Sequence, residues 1–117
     1  MIRESLHEKL NSIIPTYSVG FDVGTINQDC LILRKNIDLP AVSNSNAGWD
    51  NWTIEIYTKK SPLQIDRIIN NIIEKLSTLN VELVYGGGAE YFDTRYQAFA
   101  SSIQIRTPKT FDMKNNN

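Results

Sequence analysis

The fold is decided by residues 52–79, WTIEIYTKKSPLQIDRIINNIIEKLSTL. The first six residues alternate apolar and polar side chains, and this period of two predicts a strand. Ser61 and Pro62 then predict a helix start, because a serine can cap a helix and a proline fits its first position. Gln64 lies three residues after Ser61, so we expect the two side chains to form a capping box.

Apolar residues recur through the following helix, which we predict to occupy 61–79. Steps of three and four residues place them on one wide stripe, with polar residues on the opposite side. A stripe of this width needs a sheet to cover it. A further strand at 81–85 follows the helix. The stripe consists of Ile65, Ile68, Ile69, Ile72, Ile73, Leu76 and Leu79.

The rest of the chain supplies a second helix and more strands. Residues 1–14 carry apolar side chains on one helical face, and Pro15 ends the helix because proline disfavours helical geometry in the residue before it. Residues 17–23 and 30–35 read as strands, and we expect them to pair as a hairpin. Residues 93–107 predict one long strand or a bent pair of strands.

Three stretches carry no helix or strand pattern. Residues 39–48 predict a flexible loop, 86–88 are three glycines that interrupt the chain, and 108–117 predict a frayed tail. The chain is therefore predicted to be a single domain, 1–117, of class α+β. Its mostly antiparallel sheet has four to five strands, with two helices packed on one face.

Charge and composition narrow the function classes. The chain has 12 basic and 13 acidic residues. It therefore lacks the excess of basic residues that would indicate sequence-specific nucleic-acid binding, and it has no polybasic patch that would indicate binding to a membrane. No stretch approaches transmembrane length, and we expect a soluble protein made in the cytosol. Cys30 is the single cysteine, which excludes an internal disulfide, and its apolar neighbours predict a small buried hydrophobe.

Two short motifs suggest phosphate binding but are better explained otherwise. Residues 19–25, VGFDVGT, resemble the first phosphate loop of actin-like ATPases and sugar kinases. That family needs two large lobes and a second phosphate loop, and this chain is too short for either. After the glycines at 86–88 come Ala89 and Glu90 instead of lysine and serine or threonine, so a hinge or wide turn is the better interpretation.

The sequence also lacks a recognisable set of catalytic or metal-ligating residues. His7 is the one histidine, and together with Glu4 and Glu8 it is too sparse for a metal site, while Cys30 has no identifiable general base. The aspartates are not spaced as a catalytic carboxylate pair. We therefore expect no enzyme activity, no catalytic or metal-ligating residues and no cofactor.

Aromatic residues and an arginine remain as candidates for a binding surface. Tryptophan, tyrosine and arginine are favoured anchors of subunit interfaces, although packing in the core or in a hairpin explains about half of such residues equally well. The candidates for a subunit or ring interface are Trp49, Trp52, Tyr57, Tyr91, Phe92 and Arg95.

The order of these elements resembles a known family. An N-terminal helix, a hairpin, a loose loop, a strand of the form W-x-I-x-I-Y (residues 52–57), a capped helix and closing strands are similar to tail terminator proteins. These proteins, also called tail-completion or head–tail joining proteins, occur in tailed bacteriophages and phage-tail-like particles. The resemblance covers the whole chain and rests on size and element order.

The resemblance implies a function in particle assembly. It implies a homo-oligomeric ring, usually of six subunits, that caps the tail tube and contacts neck or head-completion proteins, in a particle assembled in the host cytoplasm. A ring needs two different contact surfaces on each subunit, and an exposed sheet edge is the obvious place for one of them. Residues 39–48 and 86–92 are the candidates for contacts with neighbouring subunits or rings.

Two other classes of function stay open from the sequence. One is a head-closure or other neck protein of the same particle. The other is a small intracellular enzyme or binding domain with an α+β fold, which we expect to have a deep cleft lined by polar groups.

Overall fold

Two helices and six strands make up the fold. The computed structural model describes residues 3–18, 26–36, 49–84 and 89–108. No helix in these ranges is both long enough and apolar enough to cross a membrane. In chain order the elements are α1 (Arg3–Asn11), β1 (Thr16–Ser18), β2 (Cys30–Lys35), β3 (Trp49–Thr58), α2 (Pro62–Leu76), β4 (Glu82–Val84), β5 (Tyr91–Asp93) and β6 (Ala98–Pro108).

The strands form one sheet in the order β1-β2-β3-β6-β4, with β5 also paired to β6. The α+β class and the mostly antiparallel sheet are confirmed. The sheet has six strands rather than four to five, because β5 (Tyr91–Asp93) begins before the predicted stretch 93–107, most of which belongs to β6. Asp93 Oδ1 accepts from the N–H groups of Arg95 and Tyr96 at 2.9 and 3.1 Å. This turn separates β5 from β6, and Gln97 completes it with φ of 55°.

The predicted hairpin between 17–23 and 30–35 is wrong. β1 pairs with β2 in parallel, with Thr16 opposite Leu31, and the Leu31 N–H donates to the Pro15 carbonyl at 2.9 Å. Alternation of side chains predicts a strand but does not say in which direction its partner runs. A parallel pair needs a long crossover, and residues 19–29 separate these two strands in the sequence.

Helix α2 begins where the sequence predicts. Ser61 is the N-cap, and its side chain accepts from the Gln64 N–H at 3.4 Å. This bond is one half of the predicted capping box, and the Gln64 side-chain amide donates to Asp29 Oδ2 at 2.7 Å. The helix ends at Leu76 rather than 79. There the Ser77 hydroxyl donates to the Glu74 carbonyl at 2.7 Å.

Both helices pack on one face of the sheet, as predicted. α1 packs against α2 and β1, and α2 packs against β3 and β6. The core between the layers comes from the apolar stripe of α2, two leucines of α1 and alternate residues of the central strands. Its buried members are Leu6, Leu10, Leu31, Leu33, Trp52, Ile54, Ile56, Ile65, Ile68, Ile72, Leu76, Ile103 and Ile105.

The opposite face of the sheet is a mixture of a small apolar cluster and ion pairs. Arg34 pairs with Glu55, and Arg106 pairs with Glu82 at 2.5 Å. The alternate residues of β2, β3 and β6 build the apolar part, with Ile26 packed on them. The buried members of this second cluster are Ile26, Cys30, Ile32, Tyr57, Ala98 and Ala100.

Several sequence predictions fall on residues that are not described. The predicted loop 39–48, the glycines at 86–88 and residues 109–117 of the predicted tail all lie outside the described ranges. Pro108 is the last residue of β6 rather than part of a tail. The predicted helix 1–14 is described over Arg3–Asn11.

Candidate interaction surface

Large exposed apolar side chains gather on one side of the molecule. In the part of the chain that the structure describes they number five: Leu63, Ile73, Leu83, Tyr91 and Phe92, exposed by 57%, 41%, 54%, 54% and 48%. All except Leu63 line one of two apolar depressions between α2 and the sheet edge formed by β4 and β5. A soluble chain rarely groups its exposed apolar residues in this way without a binding role.

The arrangement follows from the width of the sheet. β4 and β5 both pair with β6, on the side of β6 away from β3. Leu83 lies opposite Ile105 and Phe92 lies opposite Phe99, so both point to the helix-bearing face. α2 packs on β3 and β6, and no described helix covers β4 and β5. We call the resulting surface the α2–β4–β5 flank and define it by Ile73, Val81, Leu83 and Phe92. Tyr91 lies opposite Ala100, so its side chain points to the other face of the sheet.

The first depression lies at the C-terminal end of α2, and we call it the Leu83 depression. Among the described residues that line it, Ser77 is the polar one. The apolar side chains come from the last turns of α2, from β4 and from the facing residues of β6. They are Ile72, Ile73, Leu76, Val81, Leu83, Ile103 and Ile105.

The second depression lies at the N-terminal end of α2, and we call it the Phe92 depression. Of the residues in the described ranges that line it, Glu90 carries the charge. The rings of Phe92 and Phe99 meet edge to face, with centroids 5.3 Å apart, which fixes the orientation of Phe92. The remaining lining residues are Pro62, Ile65 and Tyr91.

The opposite edge of the sheet is closed by α1. The Thr16 N–H donates to Asn11 Oδ1 at 2.9 Å, and His7 Nε2 lies 2.7 Å from the Thr16 carbonyl oxygen. In the parallel pairing with β2, the backbone groups of Thr16 point away from Leu31 and outward from the sheet. Side chains of α1 therefore occupy the outward backbone groups of Thr16, through which this end of β1 could otherwise bind another strand. The two edges of the sheet differ in this respect.

Of the six predicted interface residues, Phe92 lies on the flank and Tyr91 lines the Phe92 depression beside it, whereas Trp52 does neither. Trp52 is 1% exposed, and its Nε1–H donates to Thr107 Oγ1 at 3.0 Å. The cationic groups of Arg3 and Lys35 lie 5.5 and 5.6 Å from the centre of its ring. Trp52 is thus a core residue and offers no surface to a second subunit.

Tyr57 is also interior. Its hydroxyl donates to Glu55 Oε1 at 3.1 Å, and its ring meets Tyr96 edge to face at 5.2 Å. Burial, followed by the charge of Glu55, raises the pKa of Tyr57. The side chain stays neutral and packs in the second cluster, on the face of the sheet opposite the helices. It is 2% exposed, so it offers little surface to a second subunit.

Trp49 and Arg95 are at the surface but away from the flank. Trp49 is half-buried at the start of β3, and the Arg106 guanidinium lies 4.3 Å from the centre of its ring. Arg95 is exposed and stacks on Tyr96 at 4.5 Å. The structure therefore brings together only two of the six predicted residues.

Sequence reasoning missed Ile73 and Leu83. The signal for Ile73 is the width of the apolar stripe of α2, which exceeds what the two strands beneath the helix bury. Leu83 carries a weaker signal, because a three-residue strand gives too little alternation to assign its face.

The described groups with reactive chemistry are a buried cysteine and potential metal ligands that do not cluster. Cys30 is 3% exposed, and burial, with a contribution from the charge of Asp29, raises the pKa of its thiol to about 11. Within the described ranges no three His, Cys, Asp or Glu residues are grouped so that they could hold a metal ion. No protein-family model and no curated protein matches this chain.

Proposed function

We propose that this protein is a structural subunit of a tailed bacteriophage or phage-tail-like particle. In this proposal it assembles into a ring, usually of six copies, that caps the tail tube and connects it to the neck or head. The observation that carries the proposal is the α2–β4–β5 flank, an apolar surface on which Ile73, Leu83 and Phe92 are exposed by 41%, 54% and 48%. Burial of such a surface in an assembly is favourable in proportion to its apolar area.

The element order supports the same proposal. A short helix, two strands, a tryptophan-bearing strand, a capped helix and closing strands follow one another along the chain. This is the order on which the resemblance to tail terminator proteins rests, with the parallel pairing of β1 and β2 as the one departure. The apolar lining of both depressions suits a protein contact better than a polar reaction centre.

The direct test uses tail tubes assembled from the tube protein encoded in the same genome. We expect the purified chain to cap one end of each tube as a ring in negative-stain electron micrographs, and to shorten tubes that are still growing. Leu83→Asp places a charge in the Leu83 depression and should abolish capping. Leu63→Asp is the matched control, because Leu63 is equally exposed but lines neither depression.

The outcomes separate the alternatives. Binding of wild-type protein and of Leu63→Asp, but not of Leu83→Asp, supports the proposal. Binding to isolated heads or necks but not to tubes would favour the head-closure protein. A chain that binds neither and stays monomeric contradicts a structural function in the particle.

A further inference from the structure

We draw no further inference here: the strongest candidate, the apolar surface patch between α2 and the strands β4 and β5, belongs to the surface on which the proposed function rests, and nothing further in the structure shows what covers it.

Discussion

Asn11 Oδ1 accepts a hydrogen bond from the Thr16 N–H at 2.9 Å, so a side chain of α1 closes the first edge strand of the sheet. The Thr16 residue is 4% exposed, and its outward N–H would have no partner in an apolar setting without this contact. The edge made by β4 and β5 has no such closure from any described side chain. The two edges of the sheet therefore differ in how far described side chains occupy them.

Asn11→Ala should destabilise the protein and open this edge. The substitution leaves a buried N–H without an acceptor, which costs about 1–2 kcal/mol of unfolding free energy. Urea unfolding measures the change. Ser12→Ala is the control, because the Ser12 hydroxyl bonds to the Lys9 carbonyl at an exposed site, where removal costs little. Equal stability of wild type and Asn11→Ala would show that Thr16 finds water instead.

The hydrogen bond between Trp52 and Thr107 should be measurable as a coupling energy. Trp52→Phe and Thr107→Val each remove one partner of a buried bond and leave the other unsatisfied, which costs about 1–3 kcal/mol. The double variant removes both partners, so its loss of stability should be smaller than the sum of the single losses. Strict additivity in this double-mutant cycle would contradict a direct bond.

Asp29 should be one of the most sensitive polar positions. Its carboxylate accepts from Thr58 Oγ1 at 2.6 Å and from Gln64 Nε2 at 2.7 Å, and thereby joins the segment before β2 to the start of α2. Asp29→Ala should cost about 2–3 kcal/mol of unfolding free energy, because hydrogen bonds to a charged group are among the stronger ones. Asp66→Ala, at an exposed position of α2, should change stability little. Equal effects of the two substitutions would contradict the assignment.

The Cys30 thiol should react slowly in the folded protein. Its pKa is raised from 9.0 to about 11, so at pH 8 the thiolate fraction is about 100-fold lower than in the unfolded chain. Ellman's reagent with and without denaturant measures the ratio of rates. Because the folded pKa is the higher one, the stabilising contribution of the neutral thiol is complete below pH 9 and is lost as the pH rises toward 11. Rapid reaction at pH 8 without denaturant would refute the raised pKa.

The sequence predicts the parts of the fold that depend on local chemistry. Ser61 caps α2 and Pro62 occupies its first turn, because each residue acts on its own backbone neighbourhood. The apolar stripe of the helix likewise predicts which residues enter the core. Two helices on one face follow from this stripe and from the leucines of α1.

The sequence does not predict features that depend on distant partners. The direction of β1 is set by its register with Leu31, and the side chain of Gln64 bonds to Asp29, 35 residues away in the chain. Trp52 was an interface candidate by residue type alone, and only the position of Thr107 on the neighbouring strand shows why it is buried. The flank was missed for the same reason, because it depends on how far the sheet extends beyond α2.

We propose that further copies of the chain bind to the edge formed by β4 and β5. The most direct measurement is amide hydrogen exchange at about 5 and 500 μM, read separately for each edge strand. We expect slower amide exchange in Glu82–Val84 and Tyr91–Asp93 at the higher concentration, and unchanged exchange in Thr16–Ser18. Exchange that does not depend on concentration at β4 and β5, or protection gained at β1 instead, would contradict it.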